Sequence, residues 1–119
     1  VVAIISILIT IITGRFTIIV RRTQEATTKS NLYILQRAIR NYEIQEGEYP
    51  ETLHDLIPKN YIQKVPTLYL KDHPQNAYYI IGSTPTDSGR WLYNPQEGKI
   101  RVDCTHKDSE GNIIYSWQY

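Results

Sequence analysis

The chain has 119 residues, of which 41% are hydrophobic and 21% are charged, and its formal net charge is +1. This length indicates one domain, or one domain with an appendage. A nearly neutral chain without a basic stripe gives little support to nucleic-acid binding. Its single cysteine, Cys104, excludes an internal disulfide and a metal site built from several cysteines.

The first twenty residues, VVAIISILITIITGRFTIIV, are much more apolar than the rest of the chain. As a helix they span about 30 Å, the thickness of the hydrocarbon core of a bilayer. Arg15 near a membrane centre costs about 2.5–3.5 kcal/mol, less than the apolar side chains together contribute. A cleaved signal peptide is disfavoured because Arg21 and Arg22 follow the apolar run. Residues 1–25 are therefore predicted to form a membrane anchor. Its apolar residues are Val1, Val2, Ile4, Ile5, Ile7, Leu8, Ile9, Ile11, Ile12, Phe16, Ile18, Ile19 and Val20.

Small residues recur in this anchor at spacings of three and four, which places them on one side of a helix. Gly14 flanks this stripe, and Arg15 lies on roughly the opposite side. Small side chains allow helices to approach closely inside lipid or inside a dry bundle. Ser and Thr are common in such segments, so chance alignment is the alternative interpretation. The predicted packing stripe consists of Ala3, Ser6, Thr10, Thr13 and Thr17.

The apolar run continues, without a linker, into an amphipathic pattern. Leu32, Leu35, Ile39 and Tyr42 follow a helical spacing and are predicted to face a sheet. Gly47 is a stop signal, so one helix of about 70 Å is expected over residues 1–46. Gly14 is the predicted weak point of this helix.

The remaining sequence predicts a short helix followed by strands. Pro50 can open a helix through ETLHDLI, which Pro58 ends. Prolines 66 and 74 make residues 61–76 a loop or a short extended segment. Strands are predicted at 77–82, 91–93, 99–104 and 113–117. The expected fold class is α+β, with residues 26–119 forming the domain. In it, the C-terminal half of the long helix packs on a small antiparallel sheet of three or four strands, and the apolar half protrudes.

A resemblance to a known family rests on the order of several short motifs. The long helix is followed by GEYPETLHDLIP, then by YIQKVP and then by the hairpin LYNPQEG. In this order they resemble the bacterial type IV pilin-like proteins, close to the major pseudopilins of type II secretion. That family carries a Gly-x-Tyr-Pro-x-x-Leu stretch after its helix and often an aromatic-Asn-Pro-x-x-Gly hairpin.

The resemblance implies a structural subunit of a helical pilus or of a secretion pseudopilus, without a cofactor. Such subunits are held in the bacterial inner membrane, cleaved by a prepilin peptidase and assembled by an ATP-driven machinery. Their apolar helices form the filament core, and their domains form its surface in the periplasm or outside the cell. The partners would be further copies of the chain, and Arg15 would need a carboxylate from a neighbouring subunit or a route to the surface.

The chain departs from the family pattern in three ways. The usual start of the mature chain is absent, and VVAIISIL resembles the portion just after it, so about eight preceding residues are expected. The sequence TGRF stands where many relatives have a proline. The acidic calcium loop of type II pseudopilins has only a weak counterpart in Asp103, Asp108 and Glu110, and a plain turn between strands is the preferred interpretation.

No enzymatic signature is found. His54, His73 and His106 are far apart in the sequence and share no ligand spacing, so exposed or loop histidines are expected. Cys104 follows the strand alternation of Val102 and is predicted to lie in the core. The alternative function is a membrane-tethered extracytoplasmic binding module that never polymerises. The arginines after the apolar run would by themselves place the domain in the cytoplasm, against the family resemblance.

The substitution Arg15→Glu is expected to abolish or reshape filaments, because the reversed charge would lose a carboxylate partner in the filament core. The domain after residue 26 should remain folded. Electron microscopy of material sheared from cells tests this, and normal filaments from the variant would contradict the hypothesis.

Overall fold

A computed structural model describes the backbone of residues 2–118 and the side chains of residues 18–118. The chain forms one long helix, α1 (Val2–Glu46), followed by a small domain. α1 ends where the sequence predicts. Gly47 adopts a left-handed backbone with φ of +81°, and its N–H donates to the Glu43 carbonyl at 2.9 Å.

Several predicted features of the anchor lie outside the described side chains. These are the apolar residues from Val1 to Phe16, the small-residue stripe from Ala3 to Thr17, and Arg15. α1 includes Gly14, and the loosening of the helix there stays a prediction. Of the anchor's described residues, Ile18 is 55% exposed and Ile19 is 58% exposed.

The C-terminal half of α1 packs on the domain through the predicted apolar stripe. Leu32, Leu35 and Ile39 are buried in the core, and Tyr42 packs against its edge. Upstream, the buried Thr28 hydroxyl accepts the N–H of Tyr69 at 3.0 Å and so fixes the helix to the loop after it. The helix-on-sheet α+β arrangement predicted from the sequence is therefore confirmed.

Within residues 18–118, three strands form one sheet in the order β1-β2-β3. They are β1 (Tyr79–Ile81), β2 (Trp91–Asn94) and β3 (Lys99–Val102). β2 and β3 form the predicted antiparallel hairpin, in which Trp91 lies opposite Val102. The expectation of a wholly antiparallel sheet is wrong, because β1 runs parallel to β2. A parallel pair requires the chain to travel back from the end of β1 to its beginning. Because β1 has only three residues, the connection 82–90, which can span about 30 Å, covers this distance without a helix.

The predicted last strand at 113–117 is also wrong. Ile113 makes one isolated bridge with Lys107, after which the chain turns into a short 3₁₀ helix (Ile114–Ser116). This turn buries Trp117, whose indole N–H donates to the Asp108 carboxylate at 2.8 Å. A continued strand would alternate sides and carry this indole away from its acceptor.

The segment after α1 forms a single 3₁₀ turn (Leu53–Leu56) inside the stretch where a short helix was predicted. Leu53 and Leu56 are buried as expected, and Ile57 packs against the core. The turn begins after Thr52, whose N–H donates to the Asp55 side chain. Pro58 ends the helical pattern before a full α-helix can form.

Across the described part of the chain, side chains 18–118, no helix is both long enough and apolar enough to cross a membrane.

The substitution Leu35→Ala should lower the free energy of unfolding by about 2–5 kcal/mol, because it leaves a cavity in the core. Ile34→Ala is the matched control, since Ile34 is the next residue and is 46% exposed. Its effect should stay within about 0.5 kcal/mol. Urea unfolding followed by the fluorescence of the buried Trp91 and Trp117 measures both, and equal effects would contradict the packing described.

Candidate functional site

The loop near the C-terminus holds α1 close to the start of the domain. The Arg21 guanidinium pairs with Glu25 at 3.3 Å and donates to the Lys107 carbonyl at 3.2 Å. Glu25 in turn accepts the N–H of Ser109 at 2.9 Å. We call this set the helix–loop tie, and it fixes the point at which α1 leaves the domain.

The two motifs that carry the family resemblance contact each other at the opposite end of the domain. The ring of Tyr49, from the GEYP stretch, lies against Gly98, from the NPQEG turn. The buried Tyr93 hydroxyl donates to the Pro50 carbonyl at 2.5 Å. Burial raises the pKa of Tyr93, so its hydroxyl stays protonated and keeps donating. The two motifs therefore join the segment after α1 to the β2–β3 turn.

The β1–β2 connection is held by one buried carboxylate. Asp103, directly after β3, accepts the N–H groups of Thr86 at 2.7 Å and of Ser88 at 3.1 Å. It also accepts the N–H of Asp87 at 3.1 Å and the hydroxyls of Thr86 and Ser88. Desolvation opposes ionisation, but these hydrogen bonds outweigh it and lower the pKa of Asp103.

Asp108 plays a similar part in the last turn. Its carboxylate accepts the N–H groups of Glu110 and Asn112, each at 2.9 Å, and the Trp117 indole N–H. Desolvation is again the largest influence, yet the hydrogen bonds prevail and the pKa of Asp108 is lowered. The weak calcium candidates Asp103 and Asp108 thus accept hydrogen bonds in two separate loops, and the interpretation of a plain turn stays a prediction.

Four side chains converge beside Asp103 and form what we call the His-Asp-Cys cluster: His73, Asp87, Cys104 and His106. Their potential ligand atoms all lie within 4.8 Å of one another. The Asp87 Oδ1 atom lies 3.1 Å from His73 Nε2 and 3.2 Å from His106 Nδ1. The Cys104 Sγ atom lies 3.5 Å from the same His106 nitrogen.

The surrounding backbone holds the cluster in place. Asp87 has a left-handed backbone, with φ of +57°, and its side chain accepts the N–H of Thr105 at 2.9 Å. This hydrogen bond is the main influence that lowers the pKa of Asp87, and His73 and His106 lower it further. The His73 ring lies so close to Gly89 that any Cβ there would collide with it.

Cys104 is fully buried, and desolvation is the main influence that raises the pKa of its thiol to about 11. The thiol is therefore protonated at neutral pH and has no access to an external substrate. Its predicted position on the core side of the chain after β3 agrees with this burial.

Sequence reasoning missed the His-Asp-Cys cluster. It expected exposed or loop histidines, and His73 and His106 do lie in loops, but it did not foresee that these loops converge after β3. The Cys-x-His spacing of Cys104 and His106 was the available signal. Among the described histidines, only His54 lies elsewhere, with its Nδ1 atom 2.9 Å from the Tyr79 hydroxyl.

A shallow cleft of about 400 Å³ lies between α1, Tyr49, β3 and Trp117. Among the described residues that line it there is no histidine, cysteine, serine or aspartate. The described lining of the cleft therefore offers no Ser–His or Cys–His pair.

The outer face of α1 carries exposed apolar side chains. Ile19 and Ile44 are 58% and 64% exposed and lie about seven turns apart, so they share one side of the helix. That side is opposite the stripe of Leu35 and Ile39 that enters the core. We call it the outer face of α1.

No protein-family model, curated protein or solved structure matches this chain.

The substitution Asp103→Asn should destabilise the domain by about 1–3 kcal/mol at neutral pH, because buried donors lose a charged acceptor. As the pH falls, the Asp103 carboxyl of the unfolded wild type takes up a proton before that of the folded protein does. The reason is that the pKa of Asp103 in the folded protein lies below the ordinary value of 3.8. Its stabilising contribution is therefore complete above this pH and is lost as the pH falls further.

Urea unfolding between neutral pH and pH about 2 measures both effects. Over this pH range, the free energy of unfolding of Asp103→Asn should fall by less than that of the wild type. The control is Asp72→Asn, an exposed carboxylate that should leave the profile unchanged. An acid profile of Asp103→Asn identical to that of the wild type would contradict the role given to this carboxylate.

Proposed function

We propose that the chain is a structural subunit of a helical filament, of the type IV pilus or type II secretion pseudopilus kind, assembled through its N-terminal helix. The observation that carries this proposal is the length of α1 relative to the domain. α1 has 45 residues, which is about 67 Å at 1.5 Å per residue. Its described contacts with the domain begin at Arg21, so about 30 Å of helix precedes them.

The sequence of that preceding stretch supports the proposal. It is almost wholly apolar and carries the stripe of small residues. Before assembly it anchors the chain in the inner membrane, and after assembly it packs with the same segment of other copies. Burial of its Ile and Val side chains, at about 25 cal/mol per Å², supplies the cohesion of the filament core.

The outer face of α1 supports the same conclusion. One side of the helix is covered by the domain, whereas Ile18, Ile19 and Ile44 remain exposed on the rest of its surface. Packing of helices from neighbouring copies would remove these side chains from water. Ile44 lies on the part of α1 that carries the domain, and Ile18 and Ile19 lie just before it, so both parts offer apolar side chains to neighbouring copies.

The contact between the two resemblance motifs gives further support. Tyr49 packs on Gly98, and Tyr93 donates to Pro50, so residues that are separate in the sequence act as one structural unit. Their joint occurrence in the family pattern then has a physical reason. The partners that follow from the proposal are other copies of the chain, a prepilin peptidase and the assembly machinery. The location is the bacterial cell envelope.

Electron microscopy of material sheared from cells that express the protein is the direct test. Uniform fibres containing the chain are expected, and Ile44→Asp should reduce their number severalfold, because it places a charge in a helix–helix contact. Ile81→Asp is the matched control, since Ile81 is 52% exposed on the edge strand of the domain. It should leave assembly unchanged.

Monomers without fibres, with the chain retained in the membrane fraction, would contradict the proposal and favour the tethered binding module. Equal fibre numbers for the wild type and Ile44→Asp would exclude the outer face of α1 from the contact. The unfolding free energy of Ile44→Asp should match the wild type, because the side chain is 64% exposed.

A further inference from the structure

The His-Asp-Cys cluster has the composition and spacing of a transition-metal site. Zinc bonds of about 2.0–2.3 Å to N, O and S ligands place the ligand atoms of a tetrahedron about 3.3–3.7 Å apart. Three of the six separations between the ligand atoms are 3.1, 3.2 and 3.5 Å, and all six lie within 4.8 Å. Half of the pairs are thus close to the spacing that a bound ion requires, and small side-chain adjustments would bring the other pairs to it.

We propose that His73 Nε2, Asp87 Oδ1, Cys104 Sγ and His106 Nδ1 bind one zinc ion in a closed, structural site. Two imidazoles, a thiolate and a carboxylate suit a borderline divalent metal, whereas calcium takes oxygen ligands. Four protein ligands leave no open position for a substrate, which is typical of structural zinc. As the Zn–S bond forms, the Cys104 thiol passes its proton to solvent.

The ligand side chains of the cluster are held in position by contacts with residues that are not themselves ligands. Asp103 holds the Asp87 backbone, and the Thr105 N–H occupies one lone pair of Asp87 Oδ1 while leaving another. The His73 ring is seated on Gly89, where only a hydrogen side chain fits. Supporting contacts of this kind orient first-shell ligands in metal proteins.

A catalytic Cys-His-Asp relay fits the same residues less well. Such a relay needs the thiol and the carboxylate on different nitrogens of the histidine. Here both Cys104 and Asp87 approach Nδ1 of His106. Cys104 is also fully buried, so no substrate can reach its sulfur.

The ion would connect three loops that the sheet does not otherwise join. His73 lies before β1, Asp87 lies between β1 and β2, and Cys104 and His106 follow β3. His106 also precedes Lys107 and Ser109 of the helix–loop tie. Zinc would therefore rigidify the C-terminal loop and the point where α1 leaves the domain. This inference is independent of whether the chain polymerises.

The test uses the full chain, purified without a histidine tag, stripped of metal, loaded with zinc sulfate and desalted. Metal analysis should find one zinc per chain in the wild type. His106→Gln is the lead variant, because the side chain is 42% exposed and its replacement should not disturb folding. Loss of one ligand should weaken zinc binding by at least about 100-fold, more than outer-shell changes do.

The matched control is His54→Gln, which removes a histidine outside the cluster and should bind zinc like the wild type. Cobalt(II) provides a second readout. The wild type and His54→Gln should show the absorption of tetrahedral cobalt with a thiolate charge-transfer band, and Cys104→Ser should lose that band. Tryptophan fluorescence checks that each variant is folded.

Three results would overturn the proposal: no zinc in the wild type, equal affinity in His106→Gln and the wild type, or an octahedral cobalt spectrum without a thiolate band. Equal loss in His54→Gln and His106→Gln would also overturn it, because it would show surface binding by histidines in general. If Cys104→Ser fails to fold, the affinity of His106→Gln and the wild-type cobalt spectrum decide the question.

Discussion

The buried carboxylate of Asp103 is the constraint on which the arrangement of the loops depends. A charge removed from water is stable only with a full set of donors, and residues 86–88 supply it. These hydrogen bonds hold the β1–β2 connection against the end of β3. The position of Asp87 in the His-Asp-Cys cluster follows from that set of hydrogen bonds, which also hold the connection between the parallel strands β1 and β2.

The features that depend on local periodicity could be read from the sequence. The helical spacing of Leu32, Leu35 and Ile39 predicted the face that is buried, and Gly47 predicted the end of α1. The alternation through Val102 predicted the burial of Cys104. In each case the signal and its structural consequence lie within a few residues of each other.

The features that depend on contacts between distant residues could not be predicted in this way. The direction of β1 is a property of its pairing with β2, and the connection between these strands bonds to Asp103, which lies beyond β3. The turn that replaces the last strand depends on the bond between Trp117 and Asp108. The convergence of His73 with His106 needs three loops to be placed first, and no spacing in the sequence records this.

The helix–loop tie has a mechanical consequence for a chain of this shape. A pull along α1 would be shared between the apolar packing of its second half and the polar bonds of Arg21 and Glu25 to the loop 107–109. The polar bonds are the first described contacts along α1 and lie at one place, whereas the apolar packing is spread over several turns of the helix. A pull on the N-terminal half of α1 would therefore load the loop 107–109 before it loads the core.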